Sequence, residues 1–213
     1  MKKNLTELVF ILDRSGSMSG LEKDTIGGFN SMIEKQKKEA GQALVSTVLF
    51  DHESEVIHDR VDIQKMEPIT EKEYYVRGST ALLDAVGCAI HHIGNVHKYA
   101  REEDLPEKTL FVITTDGMEN ASRIYSYDKL KAMIEARKAQ GWEFVFLGAN
   151  IDAAKEAARF GIDADFAADY HADSKGTCAV YEAMNDVLCC TRAHQPIGAS
   201  WKRKVDADFK SRK

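Results

Sequence analysis

The chain has 213 residues, of which 44% are hydrophobic and 30% charged, a composition typical of one α/β domain with a core of ordinary size. Its net charge of −5 argues against a general nucleic-acid-binding protein, because phosphate backbones require clustered Lys and Arg. The four cysteines include no CxxC pair, which argues against a zinc site and against a disulfide framework.

The sequence contains no apolar run of the roughly twenty residues that a membrane-spanning helix needs. The apolar stretch near the N-terminus, Leu8 to Leu12, is also shorter than the roughly seven to fifteen residues of a signal-peptide core. We therefore expect reduced thiols, no membrane partner and a cytoplasmic location.

The first half of the chain predicts a strand, a helix and a hairpin. The run Leu8 to Leu12 is apolar without alternation, as in a strand buried on both faces, and a helix is predicted over 20–39. The Gly-Gly pair at 27–28 costs roughly 1 kcal/mol per glycine in a helix, so we expect its backbone to approach the sheet closely. Strands are predicted over 43–50 and 55–63, and the short turn between them makes the pair antiparallel, with the second strand at the sheet edge.

The second half predicts alternating helices and strands. These are a helix after Thr80 with an apolar stripe from Leu82 to Ile93, a strand over 110–113, a helix over 125–138, a strand over 144–147, a helix over 151–160, a short strand over 164–167 and a helix over 174–191. From Pro196 onward the sequence is basic and is predicted to be irregular. The whole order predicts an α/β fold, Rossmann-like and doubly wound, with a mostly parallel sheet and helices on both faces.

Polar side chains follow two of the predicted strands. Asp13, Ser15 and Ser17 come after the first strand, Asp116 after the fourth, and Thr80 at a helix start. Ligands of such sheets bind beyond the carboxyl ends of the strands, where strand order reverses. If the first and fourth strands are neighbours, these two carboxylates and three hydroxyls face one crevice. They offer only oxygen, which suits Mg²⁺, and would leave one coordination position for a carboxylate from a partner.

Three motifs in this order resemble the metal-ion-dependent adhesion site of von Willebrand factor A domains. They are Asp13-x-Ser15-x-Ser17, Gly78-Ser79-Thr80 and Thr115-Asp116-Gly117, and the resemblance covers about residues 7–167. It implies a six-stranded sheet with one antiparallel edge strand, and a bound Mg²⁺, with Mn²⁺ or Ca²⁺ as alternatives. It also implies a protein partner that supplies Asp or Glu to the metal.

The same resemblance implies a role for each site residue. Ser15, Ser17 and Thr80 would be hydroxyl ligands, and Asp13 and Asp116 would bind the metal directly or through water. The stretch after Thr80 looks most similar to intracellular bacterial or phage members. We expect residues 1–170 to form the metal-site domain, and residues 171–213 to form a C-terminal helix and basic tail packed on it.

A second interpretation treats Asp13 as the nucleophile of a Mg²⁺-dependent phosphatase or phosphotransferase of the haloacid-dehalogenase type. That chemistry needs a second acid two residues on, where this chain has Ser15. We therefore favour a binding module without catalytic residues over an enzyme.

Several further residues are candidates for supporting the site. Asp84 and Asn120 are expected to order it, whereas Asp51 is equally compatible with a solvent-exposed or capping carboxylate. Met18 and Tyr125 are expected either to border the site or to pack in the core.

Overall fold

The computed structural model describes residues 1–212, so the last residue of the predicted C-terminal part, 213, lies outside the described residues. The described chain forms a central sheet with helices on both faces. Its strands are β1 (Lys2–Asp13), β2 (Gln42–Phe50), β3 (Ser54–Asp62), β4 (Pro106–Thr115), β5 (Trp142–Ala149) and β6 (Ala167–Tyr170). Its helices are α1 (Glu22–Gln36), α2 (Leu82–Tyr99), α3 (Tyr127–Lys138), α4 (Ala153–Arg159), α5 (Ser174–Arg192) and α6 (Arg203–Ser211).

The sheet has the order β3-β2-β1-β4-β5-β6. Every neighbouring pair is parallel except β2 and β3, which are antiparallel and place β3 at one edge. The order reverses between β1 and β4, and these two strands pair directly, with Leu12 opposite Thr114. The predicted fold class and the predicted neighbourhood of the first and fourth strands are therefore confirmed.

β1 is the centre of the core because both of its faces are covered. Leu8, Phe10 and Leu12 belong to the cluster that includes side chains of α1 and α5, whereas Val9 and Ile11 belong to the cluster under α2, α3 and α4. This two-sided burial explains why the sequence is apolar without alternation at these positions.

Two elements near the C-terminus differ from the sequence prediction. The short sixth strand, predicted over 164–167, instead spans 167–170, because residues 164–166 form a 3₁₀ turn. The segment after Pro196 was predicted to be irregular, but it contains α6. There Val205 is buried, and the Trp201 indole N–H donates to the Asp165 carbonyl at 2.9 Å.

The glycine pair in α1 approaches a helix and not the sheet. A Cβ built on Gly28 would lie 2.2 Å from Cδ2 of Tyr181 in α5, whereas one on Gly27 would meet nothing within 4 Å. The expected contact with the sheet is therefore wrong: Gly28 makes room for an aromatic ring between α1 and α5.

Across residues 1–212, none of the helices combines the length and the apolar character that crossing a membrane would demand.

Candidate metal centre

Asp13 ends β1 and is held by hydrogen bonds on both carboxylate oxygens. Its Oδ1 accepts the backbone N–H of Ser15 at 2.7 Å, and its Oδ2 accepts the hydroxyl of Thr115 at 2.6 Å. The hydroxyl of buried Tyr74 donates to the Asp13 backbone carbonyl at 2.5 Å. These contacts fix the strand end and join β1 to the last residue of β4.

The hydroxyls of Ser15 and Ser17 and the carboxylate of Asp116 form a connected row. The two serine oxygens lie 3.1 Å apart, and the Ser17 hydroxyl donates to Asp116 Oδ1. A Cβ built on Gly117 would lie 3.4 Å from Ser17 Oγ and 3.7 Å from Thr80 Oγ1. The absence of a side chain at Gly117 thus leaves open a small space that both hydroxyls border.

The turn that carries Thr80 is tied to the turn after β1. The Gly16 N–H donates to the Gly78 carbonyl at 3.0 Å, and the Arg77 N–H donates to the Arg14 carbonyl at 2.9 Å. Gly78 has φ +68°, and a Cβ there would lie 2.2 Å from Nδ1 of His52, so both the backbone and the space require glycine. The structure therefore brings together all five residues singled out in the sequence: Asp13, Ser15, Ser17, Thr80 and Asp116.

The two carboxyl groups of the site are almost fully buried. Asp13 and Asp116 are each 1% exposed, and burial raises the pKa of both. For Asp116, burial and the nearby charge of Asp13 outweigh the hydrogen bond from Ser17 and raise the pKa to about 6. Asp116 Oδ2 is buried and has no hydrogen-bond partner.

A cation fits this donor set. A buried carboxylate oxygen without a partner is costly unless a proton or a cation joins it, and the neighbouring oxygens are hard ligands of the kind that Mg²⁺ binds. Within residues 1–212, no three His, Cys, Asp or Glu side chains gather in a way that could hold a metal ion. Any cation here would therefore depend on the hydroxyl groups.

A buried ionic cluster supports the site, and most of it had no signal in the sequence. Arg14 is fully buried, and its Nε donates to Asp51 Oδ2 at 2.9 Å; Arg77 Nε donates to the same oxygen at 2.8 Å. Burial by itself would raise the pKa of Asp51. The hydrogen bonds from Arg77 and Arg14 outweigh that effect and hold this pKa below its ordinary value. The Ala81 N–H donates to the Asp51 carbonyl at 2.7 Å, which ties the cluster to the turn of Thr80.

The interpretation of Asp51 as a solvent-exposed carboxylate is therefore wrong. Arg14 occupies a free position of the first motif, and Thr115 belongs to the third motif without an assigned role. Their place in the motifs is the only feature of the sequence that points to them. No feature of the sequence points to Tyr74. His52, whose Nδ1 lies 2.8 Å from Asp51 Oδ1, also lies beside the site.

The loop after Asp116 is held to the first turn of α2. Asp84 accepts the backbone N–H groups of residues 123, 124 and 125 at 2.8–2.9 Å. Asn120 Oδ1 accepts the N–H of Thr80 at 2.9 Å. Asp84 and Asn120 therefore order this side of the site, as predicted. Met18 and Tyr125 are largely buried, and the Tyr125 ring packs against Gly87.

No protein-family model matches the chain, and no curated protein sequence matches it either. Solved structures do match. One is proximal thread matrix protein 1 from the mussel byssus with a zinc-occupied MIDAS motif, at 14% identity and TM-score 0.59, over 86% of this chain and 46% of that one. A von Willebrand factor type A protein from Catenulispora acidiphila matches at 14% identity and TM-score 0.58, over 88% and 42%. Manganese-loaded TRAP protein from Plasmodium vivax matches at 16% identity and TM-score 0.56, over 84% and 73%.

The chain spans less than half the length of the first two of these proteins. Identities this low establish the fold alone. Together with the strand order and the single antiparallel edge strand, they show that the chain has the fold of a von Willebrand factor A domain.

Proposed function

We propose that the chain is a metal-dependent protein-binding module. Mg²⁺, with Mn²⁺ or Ca²⁺ as alternatives, is held by the five oxygen-bearing residues Asp13, Ser15, Ser17, Thr80 and Asp116, and a partner protein supplies an Asp or Glu carboxylate to the ion. The observation that carries this proposal is the buried Asp116 Oδ2, which has no partner while three hydroxyl groups lie close by. The zinc and manganese in two of the matched structures support a divalent cation.

The donor set also supports the role of a partner carboxylate. Three of the five ligands are neutral hydroxyls, so the ion keeps a strong attraction for an incoming acid. The bound ion would supply this electrostatic attraction, and the chain's own residues would position it at the end of the sheet.

The arrangement favours binding over phosphoryl transfer. Phosphoryl transfer of this type needs a second carboxyl group two residues after the nucleophile as general acid, and that position is Ser15. A phosphate-release assay with p-nitrophenyl phosphate and Mg²⁺ tests the alternative directly. Turnover that disappears in Asp13→Ala would favour the phosphatase interpretation over the binding module.

Metal binding can be measured without knowing the partner. Titration calorimetry with Mg²⁺ should show binding to the wild-type chain, and little or none to Asp13→Ala or Ser17→Ala. Ser19→Ala is the matched control, since Ser19 is an exposed serine two residues beyond Ser17. Circular dichroism should show that all variants fold. Equal Mg²⁺ affinity in Ser17→Ala and Ser19→Ala would contradict the assigned ligands.

Partner binding should depend on the same ion. Proteins that co-purify in Mg²⁺ should elute with EDTA, and Asp13→Ala should not retain them. Retention that is unchanged in EDTA would rule out a metal bridge.

Two further expectations belong to this proposal. A cytoplasmic location fits the free thiols of Cys88, Cys178, Cys189 and Cys190. A C-terminal part from residue 171 that packs on the metal-site domain fits the burial of Val180, Met184 and Leu188 in the same cluster as Leu8.

A further inference from the structure

Large apolar side chains are exposed around the candidate metal centre. In residues 1–212 the exposed large apolar side chains are those of Met1, Val56, Tyr75, Tyr99, Met118 and Ile124. Three of them, Tyr75 (42% exposed), Met118 (66%) and Ile124 (63%), lie on the segments that build the metal centre. We refer to these three side chains as the apolar rim.

Met118 and Ile124 lie on one side of the centre. Met118 follows Gly117, whose Cβ position is within 4 Å of the hydroxyls of Ser17 and Thr80. The Ile124 N–H donates to Asp84 Oδ1 at 2.9 Å, which places Ile124 next to the first turn of α2, just after Thr80.

The loop that carries these two side chains is held from within. Asp84 and Glu119 accept its backbone N–H groups, and Glu119 Oε2 also accepts the N–H of Leu83 at 3.0 Å. The loop backbone is thus ordered by the protein itself, before any partner binds. Such preorganisation lowers the entropic cost of binding, because the loop need not be ordered by the partner.

Tyr75 lies on the other side, next to the turn after β1. The guanidinium carbons of Arg14 and Arg77 lie 5.2 and 5.7 Å from the centre of its ring. These cation–π contacts hold the ring beside the motif that contains Asp13 and Ser15. The Arg77 side chain is itself 38% exposed, and it pairs with Asp51 and Glu53 on this side.

We propose that the apolar rim is a docking surface for a partner segment in which an Asp or Glu is flanked by large apolar side chains. This inference rests on the proposed function: the carboxylate binds the metal, and the flanking side chains contact Met118 and Ile124 on one side and Tyr75 on the other. Charge complementarity selects an acid for the centre, where the bound ion attracts it. Exposed Met and aromatic side chains are typical of interface centres, which selects apolar neighbours for that acid.

Two synthetic peptides test the docking surface. One carries a single Asp flanked by Leu on both sides, and the other the same Asp flanked by Ser. In Mg²⁺, fluorescence anisotropy should show the Leu-flanked peptide binding at least about tenfold more tightly to the wild-type chain. The double variant Met118→Ser, Ile124→Ser should lose that preference while its Mg²⁺ affinity, measured by calorimetry, stays unchanged.

The matched control is Tyr99→Ser. Tyr99 is 78% exposed but lies at the far end of α2, about 27 Å from its start, so the preference should remain. Equal binding of the two peptides, or a preference that survives in the double variant, would overturn the docking surface and leave the metal bridge intact. If neither peptide binds better in Mg²⁺ than in EDTA, the proposed function fails, and the docking surface with it.

Discussion

At the scale of single residues, the candidate site contains two buried carboxyl groups, Asp13 and Asp116. The negative charge of Asp13 disfavours the ionised form of Asp116. Asp116 binds its proton more tightly in the folded chain, with a pKa of about 6, than the ordinary value of 3.8. In the metal-free protein, its contribution to the free energy of unfolding is therefore greatest at low pH and is lost as the pH rises from about 4 to about 6. A cation in place of the proton would restore that stability.

This competition predicts how the effect of Mg²⁺ depends on pH. We expect the rise in Tm caused by Mg²⁺ to be larger at about pH 7.5 than at about pH 5, because protons occupy Asp116 below its pKa. Differential scanning fluorimetry with and without EDTA measures both values. In the metal-free protein, Asp116→Asn should remove the part of the pH dependence of Tm that comes from protonation of Asp116. The same Mg²⁺-dependent rise at both pH values would contradict the assignment of Asp116 to the metal.

The sequence was sufficient to propose the ligands and the ordering role of Asp84 and Asn120, but not the buried contacts of Arg14 and Tyr74. Asp13 and Asp116 stand in short motifs after strands, and such positions can be recognised without coordinates. The pairing of Arg14 with Asp51, and the contact of Tyr74 with the end of β1, join segments distant along the chain. No local pattern encodes such contacts, because they depend on how β2 and the 70–78 connection pack against β1.

At the scale of elements, the contact between α1 and α5 depends on one missing side chain. Gly28→Ala should lower the free energy of unfolding by about 1–3 kcal/mol, because its Cβ would meet the ring of Tyr181, a buried side chain with little room to move. Gly27→Ala is the matched control and should stabilise the chain by up to about 1 kcal/mol, because alanine favours the helix and its Cβ meets nothing.

Urea denaturation of both variants measures these changes. If the two substitutions shift the free energy of unfolding in the same direction, the close packing of α1 on α5 at Gly28 is wrong.

The elements differ in how well their sequences predict them. In β1, the part from Leu8 to Leu12 is predicted because its burial on both faces makes it continuously apolar. The residues before Leu8 belong to the strand because they pair with β2 and β4, which the local sequence does not indicate. α6 is not predicted because it is short and mostly polar: Val205 and Phe209 stand at helical spacing, but a single such pair is too short a pattern to identify a helix. Its formation depends on packing against α5 and β6.

At the scale of the whole molecule, a cation at the reversal point would join the two halves of the sheet. Asp13 ends β1 and is followed by Ser15 and Ser17, Asp116 follows β4, and Thr80 lies two residues before α2. A cation that binds only the folded chain at one site should raise the free energy of unfolding by about 1.4 kcal/mol for each tenfold increase in free Mg²⁺ above the Kd.

Urea denaturation at a series of Mg²⁺ concentrations measures this slope. Asp13→Ala should show a slope near zero under the same conditions. A slope in Asp13→Ala equal to that of the wild-type chain would place the stabilising cation elsewhere.

The pairing of β1 with β4 brings together residues about a hundred positions apart, since Leu12 lies opposite Thr114. During synthesis, a chain that has completed only β1, β2 and β3 carries Asp13, Ser15 and Ser17 but lacks Asp116, one of the five proposed ligands. A cation at the proposed site would therefore be captured only after β4 has emerged from the ribosome and paired with β1. Metal capture would thus distinguish chains in which β4 has paired with β1 from shorter nascent chains, and a partner that requires the metal would bind only the former.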